Sequence, residues 1–511
     1  MNRKTVLIVT LLLLAPMATI AATVRPATAV ETLKVGVIGP YNLPQWHKEL
    51  GGMEGGALLA MMDGYGKINV GGTEYQVELV FADEHAYPLD ENAAYASAMS
   101  LCEQGCRFII GGFRTEVTWK IIQAIKDWND AHPGQEVIYF INGASTDQLI
   151  SETVGKDYAG YKWLFRVNPI NSTMLAKNVF GPLADHLIPK ILLPLYGVPL
   201  KVGCLTEDLA WTQGICYFVM NILPTLFPPG VVQSVYCGRT PSGTTDFDPY
   251  LQQASAAGVK VLVTAYTLPD AKYLVQDWTD GKYPFLLFGI DVYGQQSKWP
   301  DQTGGKCEYE CTEDFTGTRT PITPLAVQFW DHYVGNFSAT PIYTAWGAYN
   351  GFMVLKKALE TAGTLDPATV IATLEAQETL VLNGKSKFTS THDVFSNEYG
   401  STWTQGYTRA FMVQWLNIGG KFVKAVVYPA DQPYSRRLVL PPWMYPIYLY
   451  DLNLDKKVDM KDIILAIGAF GATPGDPRWN FGFADVNLDG KVDMKDIIIV
   501  IGKFGTIGQP Q

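Results

Sequence analysis

The sequence predicts an α/β body built as two lobes of parallel sheet flanked by helices, followed by a small, acidic, all-α domain. From Leu33 to about Pro429, short apolar segments alternate with stretches of helical periodicity. This rhythm breaks in residues 161–172 and then starts again, so the strand–helix units exceed what one open sheet usually holds. Beyond the body, an acidic pattern that begins at Asp451 is repeated from Asp485.

The first lobe is predicted from strands that alternate with helices. The apolar runs end at polar or Gly turns, which is typical of parallel strands covered on both faces. The strand segments are LKVGVIG (33–39), YQVELVFADE (75–84), CRFIIGG (106–112) and EVIYFING (136–143). The helical segments between them include MEGGALLAMMDGYGKI, DENAAYASAMSLCEQG and TWKIIQAIKDWNDA.

The second lobe repeats the pattern with KVGCLTED (201–208), KVLVTAY (260–266) and PFLLFGID (284–291). A loop rich in Gly, Pro and Cys then leads to a long helix, and two strands joined at Gly419–Gly420 end the body. The expected boundaries of the body are 30–430, with lobe 1 at 30–155 and 295–375 and lobe 2 at 156–294 and 376–430. Residues 431–450, rich in proline and aromatics, are predicted as a semi-rigid linker, although their WMYPIYLY part is apolar enough to pack on a neighbour.

Composition excludes some classes of function. The net charge of −10 argues against nucleic acid as a partner, because phosphate binding needs clustered Lys and Arg. The short Arg436–Arg437 pair is interpreted as solvated surface. No G-x-S-x-G elbow, Walker loop or H-E-x-x-H motif is present, so the sequence predicts a protein that is not an enzyme.

The N-terminal segment predicts export. Arg3 and Lys4 precede a long apolar run, and an A-x-A site lies at Ala27–Ala29, as in a secretory signal peptide over residues 1–29. An uncleaved anchor is the alternative, since the apolar run is long for a signal peptide. We therefore expect an exported protein, extracellular or associated with the cell surface.

Seven cysteines are too few for a disulfide scaffold in a chain of this length. The spacing would allow Cys102 with Cys106, and Cys307 with Cys311, to close small loops. Cys204 and Cys237 lie in apolar strands and are expected in the core.

The ordered set LKVGVIGP, MEGGALLA, VFADE, CRFIIGG, INGASTDQL and WLFRVNP resembles the periplasmic binding protein type I family. Its branched-chain amino-acid-type branch, the substrate-binding component of ABC transporters, is the most similar. The resemblance covers residues 33 to 430. It implies a two-lobe clamshell with three crossings between the lobes, a ligand in the cleft and an ABC permease as partner.

The resemblance places ligand contacts in loops at the carboxyl ends of strands, where open α/β sheets bind ligands. The candidates it implies are Trp46, Arg114, Thr115, Glu116, Ala144, Ser145 and Thr146 in lobe 1, and Trp211, Tyr266 and Asp291 in lobe 2. Hydroxyls and backbone N–H groups would bind a ligand carboxylate, and Asp291 would pair with an ammonium group. Arg114 and Glu116 depart from the small hydroxyl residues usual in the family. Alternatively, Trp211 or Tyr266 is a core residue and Asp291 a helix N-cap.

The acidic repeat predicts two calcium loops. Its copies agree at 16 of 21 positions, and side-chain or backbone oxygens fall at the loop positions that form a calcium cage. The expected ligands are Asp451, Asn453, Asp455, Lys457, Asp459 and Asp462 in the first loop and Asp485, Asn487, Asp489, Lys491, Asp493 and Asp496 in the second, with the lysines contributing carbonyls. Val458 and Val492 are expected to pack the loops together. The alternative is a pair of solvated Asx turns.

With only an exit helix and Asp at loop position 12, the repeat resembles the dockerin type I module over residues 451–507. The resemblance implies a cohesin module as partner, with Met460, Lys461, Met494 and Lys495 as recognition residues. Lys456 stands where the second loop has Gly490, so the first calcium site is predicted to be weaker.

These patterns together predict an exported solute-binding protein of an ABC importer that captures a small polar solute, amino-acid-like or an amide. Its calcium-dependent tail would tether it to a surface scaffold. The alternatives are a ligand-sensing ectodomain of the same fold and a non-catalytic subunit of a cohesin–dockerin surface complex.

Overall fold

The computed structural model describes residues 30–43, 46–316, 318–395, 410–430 and 435–511, and the predicted signal peptide lies outside them. In this part of the chain no helix is long and apolar enough to cross a membrane. The strands are β1 Glu31–Gly39, β2 Lys67–Val70, β3 Thr73–Asp83, β4 Phe108–Gly111, β5 Ile138–Ile141, β6 Leu164–Arg166, β7 Leu200–Glu207, β8 Val232–Thr240, β9 Val261–Tyr266, β10 Leu286–Asp291, β11 Cys311–Asp314, β12 Thr379–Val381, β13 Gly384–Ser386, β14 Phe411–Ile418 and β15 Lys421–Tyr428.

Helices cover both faces of the sheets and form the C-terminal domain. They are α1 Met53–Met62, α2 Glu91–Glu103, α3 Thr115–Ala131, α4 Gln148–Ser151, α5 Tyr158–Tyr161, α6 Ser172–Pro182, α7 Leu193–Tyr196, α8 Gln213–Asn221, α9 Asp248–Ala256, α10 Ala271–Gly281, α11 Trp299–Thr303, α12 Pro324–Phe337, α13 Tyr343–Ala362, α14 Pro367–Ala376, α15 Met460–Gly468 and α16 Met494–Ile501. A π-type segment, Leu183–Leu192, joins α6 to α7, and short 3-10 turns occur at Lys48–Leu50, Ala210–Thr212, Leu223–Leu226, Tyr293–Gln295 and Pro477–Gly482.

The first sheet has the strand order β2-β3-β1-β4-β5-β6. β1 pairs in parallel with β3 and β4, and β5 pairs in parallel with β4 and β6, whereas β2 and β3 form an antiparallel hairpin. Strands β4 and β5 are buried along their whole length, as the continuous apolar runs predict. Their carboxyl ends lie side by side, so the loops that follow them share one edge of the sheet.

The second sheet has the order β15-β14-β11-β10-β9-β7-β8. β7 to β11 are parallel, and the β14–β15 hairpin joins this parallel part through an antiparallel pairing of β14 with β11. Gly419 and Gly420, both with positive φ, form the turn of the hairpin, as predicted.

The sheets show where the predicted lobe ranges differ from the structure. β6 belongs to the first sheet although it falls within the predicted lobe 2, and β11 belongs to the second sheet although it falls within the predicted lobe 1. The chain passes between the sheets after β6 and after β11. The remaining passage, between β13 and β14, includes residues 396–409, which lie outside the described part.

Residues 435–450, here called the strap, are packed on lobe 2, which corrects the prediction of a linker. The backbone of Val439 exchanges two hydrogen bonds of 2.8 Å with the side-chain amide of Gln414 on β14. The Trp443 indole donates to the carbonyl of Tyr283 at 3.1 Å and meets the ring of Trp278 with a centroid separation of 5.3 Å. The apolar strap residues are buried because lobe 2 supplies matching apolar and polar surface.

Arg437 corrects a second expectation, because it is 1% exposed rather than solvated. Its guanidinium donates to the carbonyls of Leu449 (3.1 Å), Phe483 (2.7 Å) and Tyr448 (2.7 Å). It also lies over the rings of Tyr448 and Phe483. A single buried cation thus joins the strap to the C-terminal domain.

The C-terminal domain is built from its two copies in a reciprocal arrangement. Val492 of the second loop exchanges backbone hydrogen bonds with Gly471 and Ala472, which follow α15. Val458 of the first loop does the same with Gly505 and Thr506, which follow α16. Both valines are fully buried, so each loop is anchored to the segment that follows the helix of the other copy.

The cysteine pairing differs from the expectation. Cys237 forms a disulfide with Cys216 of α8, across 21 positions of sequence, and is not a core residue. Cys204 is fully buried, as expected for the core. The cysteines in the proposed small loops, Cys102, Cys106, Cys307 and Cys311, are buried free thiols.

Candidate functional site

A cavity lies between the carboxyl ends of the two sheets. Its empty space, open solvent at the mouth included, is about 510 Å³. Both lobes and the connections between them form the wall. The lining residues are Phe113, Arg114, Thr115, Gly143, Ser145, Ile170, Leu175, Leu209, Trp211, Thr267, Ile290, Val292, Gln295, Glu313, Phe315 and Tyr343.

The lobe 1 wall is organised around the buried carboxyl of Glu84, which follows β3. It accepts the backbone N–H groups of Phe113 (2.7 Å) and Arg114 (3.2 Å) in the loop after β4. Burial raises the pKa of Glu84 to about 8, and the two N–H donors oppose that rise. The Arg114 side chain is already engaged, since it donates to Glu116 and to the carbonyl of Ala86, both at 3.0 Å. The loop geometry therefore depends on a carboxyl outside the cavity lining.

The lobe 2 wall has a matching arrangement around Glu207, the last residue of β7. Its carboxyl accepts the indole N–H of Trp211 at 2.8 Å and both the backbone N–H (3.0 Å) and the hydroxyl (2.5 Å) of Thr267. Burial raises the pKa of Glu207 to about 7. The donors of Trp211 and Thr267 are thus directed to Glu207, which fixes the ring of Trp211 against the cavity.

Glu313 and Gln295 form the polar part of the wall near β11. Glu313 is 1% exposed and accepts from the amide of Asn178 on α6 at 2.9 Å. Burial raises its pKa to about 8, and the neighbouring carboxyl of Asp314 adds to the rise. Gln295 donates its amide to the carbonyl of Glu313 at 3.0 Å, which leaves its Oε1 buried without a hydrogen-bond partner.

The structure brings Arg114, Thr115, Ser145 and Trp211 of the predicted ligand residues to the cavity wall. Trp46 is fully buried behind Phe113, with ring centroids 4.0 Å apart, and approaches Tyr293 of lobe 2 at 6.5 Å. The remaining candidates, Glu116, Ala144, Thr146, Tyr266 and Asp291, are not in the lining.

Of these remaining candidates, Tyr266 has the core role that the sequence left open as an alternative, whereas Asp291 is not a helix N-cap. The Tyr266 hydroxyl lies 3.0 Å from the hydroxyl of Thr240, and its ring is wholly buried, as in a core residue. Asp291 accepts the backbone N–H of Tyr293 at 3.0 Å, but the N-cap of the 3-10 turn Tyr293–Gln295 is Val292. Burial raises the pKa of Asp291 to about 6.

Sequence reasoning missed Glu313, Phe315 and Gln295. Glu313 lies on β11, whose sequence CTED ends in two acidic residues, and the segment around it reads as a loop. Two further lining residues, Thr267 and Val292, could have been predicted. They directly follow the apolar runs of β9 and β10, and ligands are expected at the carboxyl ends of such strands.

In the first C-terminal loop, the carboxylates at positions 1 and 12 are turned inward and wholly buried. Asp451 accepts the backbone N–H groups of Asp455 (3.1 Å) and Lys456 (2.8 Å). Asp462 accepts from Leu452 (2.8 Å), Asn453 (3.3 Å) and Asp459 (2.7 Å). Burial raises the pKa of Asp451, and the charge of Asp462 adds to the rise.

The second loop repeats this geometry. Asp485 accepts from Asp489 (3.1 Å) and Gly490 (2.9 Å), and Asp496 accepts from Val486 (3.0 Å), Asn487 (3.2 Å) and Asp493 (2.8 Å). Burial raises the pKa of Asp485 to about 7, and the charge of Asp496 contributes to that rise.

Position 9 behaves differently in both loops. Asp459 and Asp493 accept the N–H groups of Lys461 and Lys495 and so cap α15 and α16. Each is also paired with the position 7 lysine, Lys457 at 2.9 Å and Lys491 at 2.7 Å, which lowers the pKa of both aspartates. The position 9 carboxylates therefore lie on the outside of each loop, where they pair with lysines, whereas the carboxylates at positions 1 and 12 point inward.

The predicted recognition residues lie on exposed apolar helix faces. Met460 is 56% exposed and Met494 is 57% exposed, and Lys461 and Lys495 beside them are also exposed. The faces continue with Ile464, Ile467 and Phe470 after Met460 and with Ile498, Ile501 and Phe504 after Met494. The two copies therefore present similar surfaces.

Comparisons with known proteins agree with this architecture. Residues 32–408 match the family model described as periplasmic binding protein. The chain belongs to the periplasmic binding protein family. Residues 449–505 match the dockerin type I domain model, so the tail is a dockerin domain.

Solved structures show the same fold at low sequence identity. A leucine-, isoleucine-, valine-, threonine- and alanine-binding protein from Brucella ovis is 15% identical with a TM-score of 0.61, over 77% of this chain and 94% of its own. An ABC transporter substrate-binding protein from Sphaerobacter thermophilus is 18% identical with a TM-score of 0.59, over 78% and 97%. A solute-binding protein from Rhodopseudomonas palustris, in complex with 3,4-dihydroxybenzoic acid, is 16% identical with a TM-score of 0.59, over 77% and 95%. Comparison with curated protein sequences finds no match.

Proposed function

We propose that this periplasmic binding protein is the extracytoplasmic solute-binding component of an ABC importer and is not an enzyme. The observation that carries the proposal is the cavity between the lobes, whose wall combines residues from both sheets. Residues 209, 211 and 267 of lobe 2 and residues 113–115 and 145 of lobe 1 all line it. Such a wall is complete only when the lobes approach each other, which is how a solute bound in the cleft would stabilise the closed form.

The cavity favours a small solute with an apolar body and few polar groups. Phe113, Ile170, Leu175, Trp211 and Phe315 supply apolar wall. Thr115 and Ser145 add hydroxyls, while Glu313 and Gln295 add acceptors. An amino-acid-like solute or an amide would suit this combination, because a few placed polar groups fix orientation in a mostly apolar pocket.

The dockerin domain is proposed to hold two calcium ions. The loop chemistry fits, because Asp451 with Asp462, and Asp485 with Asp496, are buried acidic oxygen ligands, and the charges of Asp462 and Asp496 help to raise the pKa of Asp451 and Asp485. Carboxylates placed this close need a cation to stay ionised together. Asn453, Asp455, Asn487 and Asp489 and the carbonyls of Lys457 and Lys491 would complete the oxygen set, and Asp459 and Asp493 would act from the outer side of the loop.

The tail is proposed to tether the protein to a cohesin-like module on a cell surface or secreted scaffold. Exposed methionines and isoleucines on α15 and α16 support this, since adaptable apolar patches of this kind mark protein interfaces. The dockerin domain also favours a second candidate function, in which the chain is a non-catalytic subunit of a cohesin–dockerin surface complex.

A thermal-shift screen of amino acids, amides and short peptides tests the binding function directly. A specific solute should raise the melting temperature in proportion to the logarithm of its concentration. The absence of stabilisation by any solute of these classes would contradict the proposed function. Binding of a cohesin panel with and without calcium tests the tether separately.

A further inference from the structure

The strap places one of its side chains against the first loop of the dockerin domain. The Tyr445 hydroxyl donates to Oδ2 of Asp451 at 2.5 Å, and both residues are wholly buried. The same oxygen accepts the backbone N–H of Lys456, whereas Oδ1 accepts that of Asp455. Asp451 is the position 1 carboxylate, so a residue outside the loop helps to orient an expected calcium ligand.

The second loop is contacted in a different way. Trp479 precedes Asp485 by the same number of residues as Tyr445 precedes Asp451, but its indole N–H is buried without a hydrogen-bond partner among the described residues. The strap reaches this loop through the half-buried guanidinium of Arg436, which lies against Gly490. Only the first loop therefore has a buried strap hydroxyl bonded to its position 1 carboxylate.

The turn that carries Tyr445 is also attached to lobe 2. The backbone N–H groups of Met444 and Tyr445 donate to the carbonyl of Pro441 at 2.9 and 3.2 Å, which closes the turn. The carbonyl of Met444 accepts the hydroxyl of Tyr196 on α7 at 3.4 Å. The Trp443 indole, directly before Met444, is bonded to lobe 2 as described above. Consecutive residues of one turn thus contact lobe 2 and the first calcium loop.

This arrangement makes the two contacts dependent on each other. A hydrogen bond to a metal-binding carboxylate holds it in the orientation that the metal needs, and losing such a bond typically lowers metal affinity. The bond from Tyr445 can form only while the strap is docked. By linkage, whatever stabilises the docked strap stabilises the calcium-binding conformation of Asp451, and bound calcium stabilises the docked strap to the same extent.

We propose that calcium binding in the first dockerin loop is coupled to docking of the strap on lobe 2, with Tyr445 as the positioning residue for Asp451. The inference rests on the proposed calcium binding and goes beyond it, because the solute-binding body becomes part of the support of the site. Calcium then does more than prepare the tail for a protein partner. It also fixes the tail against lobe 2, so that the two move as one body.

Tyr445→Phe in the full-length protein is the direct test, because it removes the hydroxyl and keeps the ring. Combining it with Asp496→Ala isolates the first site, and combining it with Asp462→Ala isolates the second. Calorimetry should show a fall of about tenfold in calcium affinity at the first site and a change of less than about twofold at the second. Tyr95→Phe is the matched control, since its hydroxyl donates to the Asp127 carboxylate at 2.8 Å in lobe 1.

Gln414→Ala tests the coupling from the side of lobe 2. It removes the two hydrogen bonds between Gln414 and Val439 of the strap and changes no expected calcium ligand. We expect calcium affinity at the first site to fall by about threefold or more. Gln377→Ala is the control, because Gln377 is a buried glutamine that donates to the carbonyl of Val354 on α13 at 3.1 Å. Melting temperatures verify that each variant is folded.

Hydrogen exchange of the strap gives a readout that does not depend on affinity. Calcium should slow the exchange of residues 436–450 in the unmodified protein, and it should slow it less in Tyr445→Phe. A merely structural role of Tyr445 would change exchange equally with and without calcium, and that result would overturn the inference.

The remaining outcomes separate the inference from the calcium binding on which it rests. An unchanged first site in Tyr445→Phe, or the same loss in Tyr95→Phe, would overturn the inference and leave the calcium assignment in place. Equal losses at both sites in Tyr445→Phe would overturn it as well. If the unmodified protein binds no calcium, both the inference and the proposed calcium sites fail.

Discussion

Buried carboxyl groups occur in two regions of this chain, the interlobe cleft and the dockerin loops, and they are held in different ways. In the cleft, Glu84, Glu207 and Glu313 lie apart from one another, and each is oriented by its own set of neutral donors. In the loops, acidic side chains converge in pairs such as Asp485 with Asp496, and backbone N–H groups surround each pair. An isolated buried carboxyl can stay neutral, whereas a converging pair in a polar loop favours a bound cation.

This difference predicts that the two regions respond oppositely to cations and protons. The loops should be stabilised by a divalent cation, and the cleft carboxyls should be stabilised by protonation.

Asp496→Ala should have the largest effect, because it removes the position 12 carboxylate that accepts three backbone N–H groups in the second loop. We expect calcium affinity at that site to fall by roughly a hundredfold or more, given how strongly ligand charge tunes calcium loops. Calorimetric titration should show loss of one binding event, and Asp462→Ala should remove the other. Asp280→Ala, on the surface of lobe 2, serves as control. Unchanged stoichiometry in Asp496→Ala would contradict the calcium assignment.

Arg437→Met tests the buried cation that joins the strap to the dockerin domain. The change removes three hydrogen bonds to buried carbonyls, so the strap and the dockerin domain should lose about 3 kcal/mol of stability. Denaturant unfolding and limited proteolysis at saturating calcium measure the loss. Arg436→Met makes the same chemical change one residue earlier, at a half-buried position, and should cost clearly less. Equal losses would show that burial of Arg437 is not what holds the tail.

The strap also shows what local sequence can and cannot predict. The strands β4, β5, β9 and β10 follow from continuous apolar runs, since such runs are stable only between covering layers. The strap reads as a linker because its prolines are a local signal, whereas its burial depends on Gln414 and Tyr283, which are distant in sequence. The dockerin loops could be predicted because the residues proposed to bind each calcium ion lie within one short segment, and that segment is repeated.

The cleft was only partly predictable, for a related reason. Arg114, Thr115, Ser145 and Trp211 follow apolar strands, and the structure brings them to the wall. Glu313 did not stand out because β11 is a short polar strand. It is buried by partners from elsewhere, with Asn178 bound to Glu313 and Lys424 paired with Asp314. Polar strands of this kind have no periodic signature.

The pH dependence of stability tests the cleft side of the contrast. Burial raises the pKa of Glu84 and Glu313 to about 8 and that of Glu207 to about 7, above the 4.5 of an exposed glutamate. Between pH 4.5 and pH 8 the folded protein therefore binds more protons than the unfolded chain, and its stability should fall as pH rises.

We expect each of these carboxyls to contribute about 1 to 2 kcal/mol to this fall, after relaxation around the ionised group. Melting temperatures of the solute-free protein from pH 5 to pH 8, at saturating calcium, provide the measurement. Glu313→Gln should flatten the slope, and Glu103→Gln, on the exposed surface of α2, should not. A melting temperature that rises with pH in this range would contradict the description of the cleft.

The smallest expected effect concerns the difference between the two dockerin loops. Lys456 and Gly490 occupy the same loop position with φ of 73° and 90°, and their backbone N–H groups donate to Asp451 and Asp485 at similar distances. The left-handed conformation costs a non-glycine residue about 1 kcal/mol, so Lys456→Gly should tighten the first site about fivefold. Lys456→Ala is the matched control, because it removes the charge and keeps the Cβ that causes the strain. Calorimetry should find unequal sites in the unmodified protein and nearly equal sites in Lys456→Gly. Equal sites from the start, or the same gain in Lys456→Ala, would show that backbone strain at this position does not set the difference.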